Sequence, residues 1–254
     1  MEYNISPYWE LQDRVQPKAF LQQGDLIRFH SPNVRIHKIG IVVTADCDLE
    51  KKKHANLVTL VPILSPILIL ENYILIDECE RQKSVVGLKL RKFFEIGSSF
   101  DDVSFEGIIR GRRQEAQDEL SEEILLAISF YLGELPEVSM SNYRSLMKFT
   151  GQNPKAPKAL SQKISDKGDV LPLPSASGIG IEENIAWVRH IWQASAKDIA
   201  LRTSEVSQKP GEKIARLASP FRYRLTQKLA QVFSDIGLPE IENNIENVVA
   251  EALK

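Results

Sequence analysis

The chain has 254 residues, enough for one large domain or two modest ones, each with a substantial core. Its 43% hydrophobic and 26% charged residues are ordinary for a globular protein that folds in water. A formal net charge of −2 excludes a global positive field that would draw the whole molecule onto nucleic acid, so any such contact has to use a local basic patch.

Two cysteines, Cys47 and Cys79, are too few for a disulfide scaffold or a zinc ligand set and suit a reducing compartment. The opening Met-Glu-Tyr-Asn-Ile-Ser-Pro lacks the basic and apolar regions of a secretion signal. The longest apolar run, residues 57–70, is interrupted by Pro62 and Pro66 and is too short to span a bilayer. The expectation is a cytoplasmic protein without membrane contact, metal or cofactor.

In chain order, residues 1–20 read as a lead-in in which Tyr8, Trp9 and Leu11 form a short helix or strand that covers one end of a barrel. Three β-rich runs follow at 24–29, 39–44 and 57–64, separated by a Pro32-Asn33 turn and the solvated loop Glu50-Lys51-Lys52-Lys53-His54. Residues 67–80 read as extended going to helical. The stretches 85–94 and 103–109 read as further strands, broken at Gly97-Ser98-Ser99. From Ser121 the period changes: Ser121-Glu122-Glu123 caps a helix carrying Ile124, Leu125, Ile128 and Leu132, and a second helix spans 141–150. Residues 152–177, rich in Pro, Lys, Ser and Gly, read as a linker or mobile loop, part of which is expected to pack in extended form through Leu171 and Leu173 between prolines. Residues 185–201 fit a strand through Ile185, Trp187, Arg189 and Ile191, or a helix through Ile185, Val188 and Trp192. The strand alternative makes the preceding helices an insertion. Residues 206–212 read as a loop. Ser219-Pro220 then starts a long helix with Phe221, Leu225, Leu229, Val232 and Phe233 on one face, which Gly237 and Pro239 stop. A last helix is expected over 241–253.

The order G-D-x-I, turn, G-I-V-V-T, polar loop, L-V-T-L-V-P-I resembles the opening of PemK/MazF-like domains, over about the first 65 residues. The run V-V-T-A-D-C-D and the closing R-L-A-S-P-F-R…G-L-P also resemble a larger uncharacterised bacterial group associated with mobile or anti-phage genes. The first resemblance implies a small SH3-like barrel of toxin–antitoxin modules, whose active members cut single-stranded RNA. Such ribonucleases carry an arginine just before the second core strand and a threonine at the end of the third. Here those positions fall at Lys38 or Ile39 and at Leu64, so Arg35 and Ser65 can take the roles only with a shifted register. The fold expected is α+β: a small SH3-like, PemK/MazF-like β-barrel elaborated by helices, with a helical carboxy-terminal part. Residues 1–120 would form the barrel core, 121–165 a helical insertion, and 166–254 return strands and helices packed on the barrel.

Several residue groups could carry chemistry. Thr44, Asp46, Cys47 and Asp48 end the central strand, where side chains are held but reach solvent. A Cys47 nucleophile needs a base such as His37 or His54, and the flanking aspartates oppose thiolate formation. As the plainer alternative, Cys47 is a small half-buried hydrophobe and the aspartates bind turn amides. Lys51, Lys52 and Lys53, and Arg110, Arg112 and Arg113 on a Gly-containing loop, are the densest cationic runs and could grip phosphates. No aromatic residues interleave with them, and a solvated surface balanced by Glu115, Asp118 and Glu119 is the bland alternative. Trp187, Trp192, Phe221, Tyr223 and Phe233 read as core or helix packing, with Arg222 and Arg224 exposed beside Tyr223. The leading functional expectation is a non-catalytic component of a bacterial toxin-like or anti-phage system that binds a partner protein encoded nearby, and RNA. The alternatives are a MazF-like endoribonuclease using Arg35 and Ser65 with Lys38 or His37 assisting, and a cysteine-dependent hydrolase on Cys47.

Overall fold

The computed structural model describes residues 8–10, 20–116, 118–176, 179–181 and 184–234. Leu11, the stop at Gly237 and Pro239, and the helix expected over 241–253 lie outside the described residues. The chain is a mixed α+β protein. Its strands are β1 Trp9–Glu10, β2 Asp25–Phe29, β3 Ile39–Val42, β4 Leu57–Leu64, β5 Val170–Pro172, β6 Ile185–Trp187, β7 Trp192–Ser195, β8 Ile199–Ala200 and β9 Gly211–Leu217. Its helices are α1 Asp46–Glu50, α2 Pro66–Ile69, α3 Leu75–Glu80, α4 Lys83–Phe93, α5 Asp102–Glu115, α6 Glu122–Tyr131, α7 Met140–Thr150, α8 Pro157–Ser165 and α9 Ser219–Ser234.

The three runs legible in the sequence are neighbouring antiparallel strands, with Leu26 opposite Ile41 and Ile41 opposite Val61. The described strands form a nine-stranded sheet in the order β1-β9-β2-β3-β4-β6-β5 that is not closed into a barrel. It does curl. β7 pairs with β4, and the 3₁₀ turn Ala196–Asp198 then leads to β8, which pairs with β9 near the other side of the sheet. Alternation divides the side chains between the two faces. Leu26, Ile41, Val61 and Leu217 join one cluster, which α9 covers through Leu225 and Val232. Ile27, Val42, Val58, Leu60 and Ile199 form the other.

Several expectations are corrected. Residues 85–94 and 103–109 are helical, in α4 and α5, and 67–80 is helical throughout, with a π-helical turn at Leu70–Ile74. The strand-like period in α4 comes from exposed Leu88 falling between Val86 and Leu90, and those two make the buried face at helical spacing. In α5 the exposed residue is Val103, and Phe105 and Ile109 are buried. Residues 152–177 are not a linker throughout: Pro157 starts α8 at its first turn, and the extended packing expected around Leu171 and Leu173 is present, with Leu171 in β5 and both side chains buried. Residues 185–187 are strand. The stretch 206–212 runs into β9, the partner of β2. Ser121 caps α6 and Ser139 caps α7, each accepting a backbone N–H three residues on.

The helices between Pro66 and Ser165 build a separate apolar cluster around Phe105, Ile128, Phe130 and Tyr143. Glu78, buried at its edge, takes ion pairs from Lys155 at 2.5 Å, Arg81 at 3.2 Å and Lys163, joining α3 to α8 and its approach.

Asp25 does comparable work in the sheet. Its side chain is fully buried and accepts from Arg216 Nε at 2.8 Å and Lys213 Nζ at 2.8 Å, and from the Gln22 backbone N–H at 2.7 Å. Burial pushes the Asp25 carboxyl up against the pull of both cations, and it pushes the Lys213 ammonium down. Removing the carboxylate leaves two cations without it in a nearly dry site. Asp25→Ala should therefore destabilise the protein by about 3–5 kcal/mol, read as a lower urea midpoint. An Asp25→Ala variant with the wild-type midpoint would show that water satisfies Lys213 and Arg216.

Candidate functional site

Two polar regions lie at opposite ends of β3. After its carboxyl end comes the T-A-D-C-D stretch. Thr44 Oγ1 accepts the Thr59 N–H at 2.8 Å, which keeps β4 paired as β3 leaves the sheet. Asp46 Oδ1 accepts the Gln23 N–H at 2.6 Å, and its Oδ2 lies 3.9 Å from Arg222. Arg222 is largely buried, donates to Gln23 O, and fills the space over Gly24, where a Cβ would stand 2.8 Å from its Cδ. Gly24 also has φ +88°, so both space and backbone require glycine. Of the two arginines expected on the exposed side of α9, Arg222 is thus a strut and Arg224 is exposed; Tyr223 and Phe233, expected in the packing, are exposed as well.

Cys47 is exposed on α1, and its Sγ donates to Asp48 Oδ1 at 3.8 Å. His54 Nδ1 contacts the Asp48 carbonyl at 3.3 Å. Cys79 is buried among helices, and burial, then Glu78 and Glu80, push its thiol up to about 12. Beside α1 is a cavity of about 710 Å³, floored by Leu21, Leu49 and Leu201 and rimmed by Asp46, Lys52 and His54.

The cationic runs do not come together. Lys51, Lys52 and Lys53 are exposed on the turn after α1, beside the sheet. Arg110, Arg112 and Arg113 lie on α5 in the helical unit, not on a loop. Arg110 and Arg113 grip Glu134 at 2.7 and 2.5 Å, and Arg112 pairs with Glu115 at 3.6 Å. These charges are already neutralised locally.

The other end of β3 gathers rings. The 3₁₀ turn Arg35–His37 precedes the strand, and Ile36 packs in one cluster with Leu64 and Leu68. Arg35 and Ser65 therefore flank the same patch. Arg35 is held by Glu137 at 3.1 Å, and Ser65 caps α2 by accepting the Leu68 N–H at 3.2 Å. His37 stacks on Trp192, ring centroids 4.5 Å apart and planes 8° from parallel. Trp192 reaches this position because residue 40 is glycine: a Cβ there would stand 2.2 Å from its Cη2. His190, on the β6–β7 turn, lies 3.9 Å from the Trp187 ring, and Tyr73 packs edge-on to Trp187 at 4.7 Å and 5.5 Å from His190. Tyr73 sits on the π-helical turn, a distortion frequent at functional sites. Lys167 Nζ lies 5.7 Å from the Trp187 ring, and Arg189 binds the buried Asp169 at 3.1 Å. Trp187 is buried; Tyr73, His37, His190 and Trp192 are half-buried and reach solvent.

Burial, then the charge of His190, lowers the His37 pKa. That of His190 is lowered by burial, with Asp169 pulling it up and Lys167 and Arg189 pushing it down. Both imidazoles are neutral near pH 7. Of the residues bordering this patch, Arg35, His37 and Ser65 are among the sequence candidates, whereas Tyr73 and His190 are not, since they reach it from a misread helix and a turn far along the chain.

Among the described residues no group of His, Cys, Asp or Glu is arranged to hold a metal ion, and no helix is long and apolar enough to cross a membrane. Comparison with protein-family models, curated proteins and solved structures gives no match to this chain.

Gly40→Ala tests how the rings are held. The added methyl must displace Trp192, so the variant should lose about 1–3 kcal/mol of stability and shift the tryptophan emission to the red. Unchanged emission and stability would mean that β3 yields without moving the indole.

Proposed function

We propose that the protein binds single-stranded RNA on the ring surface at the amino end of β3, as the RNA-contacting component of a bacterial toxin-like or anti-phage module that also holds a partner protein. The observation that carries this reading is the group of half-exposed rings, Tyr73, His190, His37 and Trp192, with Arg35, Lys38, Lys167 and Arg189 around it. Single-stranded recognition depends on aromatic faces for bases and cations for the backbone, and this surface offers both. The PemK/MazF-like pattern of residues 24–64 supports the same substrate class and an SH3-like ancestry for the curled β2–β3–β4 sheet. It also supports the partner protein, since such domains belong to paired modules.

A second reading, endoribonuclease, is favoured by one observation: Arg35, His37 and Ser65 border the same patch as the rings. On that reading Arg35 offsets charge developing on the phosphate, and His37 or Ser65 manages the proton.

Fluorescence anisotropy with labelled single-stranded and duplex RNA tests the first reading. Single strands should bind more tightly, with affinity falling steeply as salt rises. Tyr73→Ala and Trp192→Ala should each weaken binding by about 1–3 kcal/mol, the worth of a stacked base. Arg112→Ala with Arg113→Ala should leave it unchanged, because those side chains are committed to Glu115 and Glu134. No binding, or ring variants that bind like the wild type, would overturn the proposal. The same samples run on a gel separate the readings, since cleavage lost in Arg35→Ala and Ser65→Ala would establish the nuclease.

A further inference from the structure

The charges around the rings are unequal in a way that base stacking does not use. From the 3₁₀ turn come Arg35 and His37, followed by Lys38. Lys167 and Asp169 come from the segment after α8, Arg189 and His190 from the β6–β7 turn, and Tyr73 from the π-helical turn. Glu137 reaches in between α6 and α7. Each of the two carboxylates is taken by an arginine: Glu137 by Arg35 and Asp169 by Arg189. Among the described residues no carboxylate forms an ion pair with His37, His190, Lys38 or Lys167. Neither imidazole has a hydrogen-bond partner through its ring nitrogens there. Stacking on Trp192 occupies a face of His37 and leaves its nitrogens, at the ring edge, available.

We infer that His37 and His190 form a phosphate-binding subsite that fills by taking up protons, within the RNA-binding surface proposed above and resting on that reading. Phosphate is the chemistry that matches: a compact anion with several acceptor oxygens, suited to N–H donors from separate turns with lysines beside them. The site is poised against protonation when empty. Burial disfavours both imidazolium ions, and the charge of His190 disfavours that of His37. A bound phosphate reverses the balance, because its charge favours the protonated rings.

The signs follow by linkage. The folded pKa of each histidine lies below its unfolded value, so without phosphate their contribution to stability is fully present above about pH 6.5 and is lost as pH falls below it. Phosphate affinity has the opposite trend and rises as pH falls.

Two probes test this: inorganic phosphate, followed by the imidazole proton resonances, and a short single-stranded oligoribonucleotide, followed by anisotropy. Phosphate should raise the titration midpoints of His37 and His190. Oligoribonucleotide affinity should increase towards tenfold per pH unit between about pH 7.5 and 5.5, the slope for one linked proton. His37→Gln and His190→Gln should each flatten that slope. His190→Lys should bind tightly with a reduced pH dependence, an outcome a merely structural histidine would not give. A pH-independent affinity, or a slope that survives both glutamine substitutions in folded protein, overturns the subsite while leaving RNA binding standing. Phosphate shifting both histidines without any oligoribonucleotide binding supports the subsite for a phosphate monoester and removes the RNA reading.

Discussion

The sheet depends on one buried carboxylate. Asp25 lies at the start of β2, and both of its cations come from β9, near the far end of the described chain. In a regular strand Lys213 and Arg216, three residues apart, would point to opposite faces. They share a face because the β2–β9 register shifts between Leu26 and Ile27: Leu26 is opposite Ala215 and Ile27 is opposite Lys213, which leaves Ile214 as the extra residue of a bulge. The bulge and the ion cluster require each other. A register slipped by one residue would put Lys213 among Leu26, Ile41 and Val61, where nothing balances its charge. Desolvation of Asp25 outweighs the attraction of its partners, so the cluster adds less to stability than to the choice of register.

From that anchor the quoted sequence patterns acquire a structural meaning. Gly24 and Asp25 meet Arg216 and Arg222, and Asp46 of the T-A-D-C-D stretch ties Gln23 and Arg222 together. The two stretches that look most like motifs, one early and one late, form a single joint that seats α9 on the sheet. Its residues are polar and close in sequence, the pattern by which a chemical site is recognised. Its hydrogen bonds are instead spent on backbone amides and on the Arg222 strut.

How much could be read in advance differs between the sheet and the site, for physical reasons. The strands at 25–29, 39–42 and 57–64 were legible because both faces are buried and the side chains are apolar and β-branched. Strand β9 was not, since the bulge at Ile214 breaks the alternation in E-K-I-A-R-L, the signal a strand is recognised by. Helix α4 was misread because exposed Leu88, between buried Val86 and Leu90, completes a false period of two. At the ring surface, Arg35, His37 and Ser65 were legible as candidates because they border recognisable strands. Tyr73 and His190 carry no local pattern. They belong to the site only because the chain leaves the sheet after Ser65, builds a helical unit, and returns through β5 and β6 against the same end of β4.

That detour shapes what the ring surface can do. The outgoing chain brings Tyr73, and the returning chain brings Lys167, Trp187, His190 and Trp192, so the surface is a seam between the sheet and the helices. Glu137, from the helical side, is bound to Arg35 on the sheet side, with both side chains at least half exposed. An ion pair that exposed contributes at most about 1 kcal/mol. It is therefore a weak latch across the seam, and a phosphate bound beside Arg35 would compete with Glu137 for the guanidinium. The charge that most directly opposes an anionic ligand is thus held on the element most easily released, whereas Asp169, which is buried, stays committed to Arg189. A ligand at the rings would shift the sheet–helix contact at Glu137 and leave the Asp25 anchor at the other end of β3 untouched.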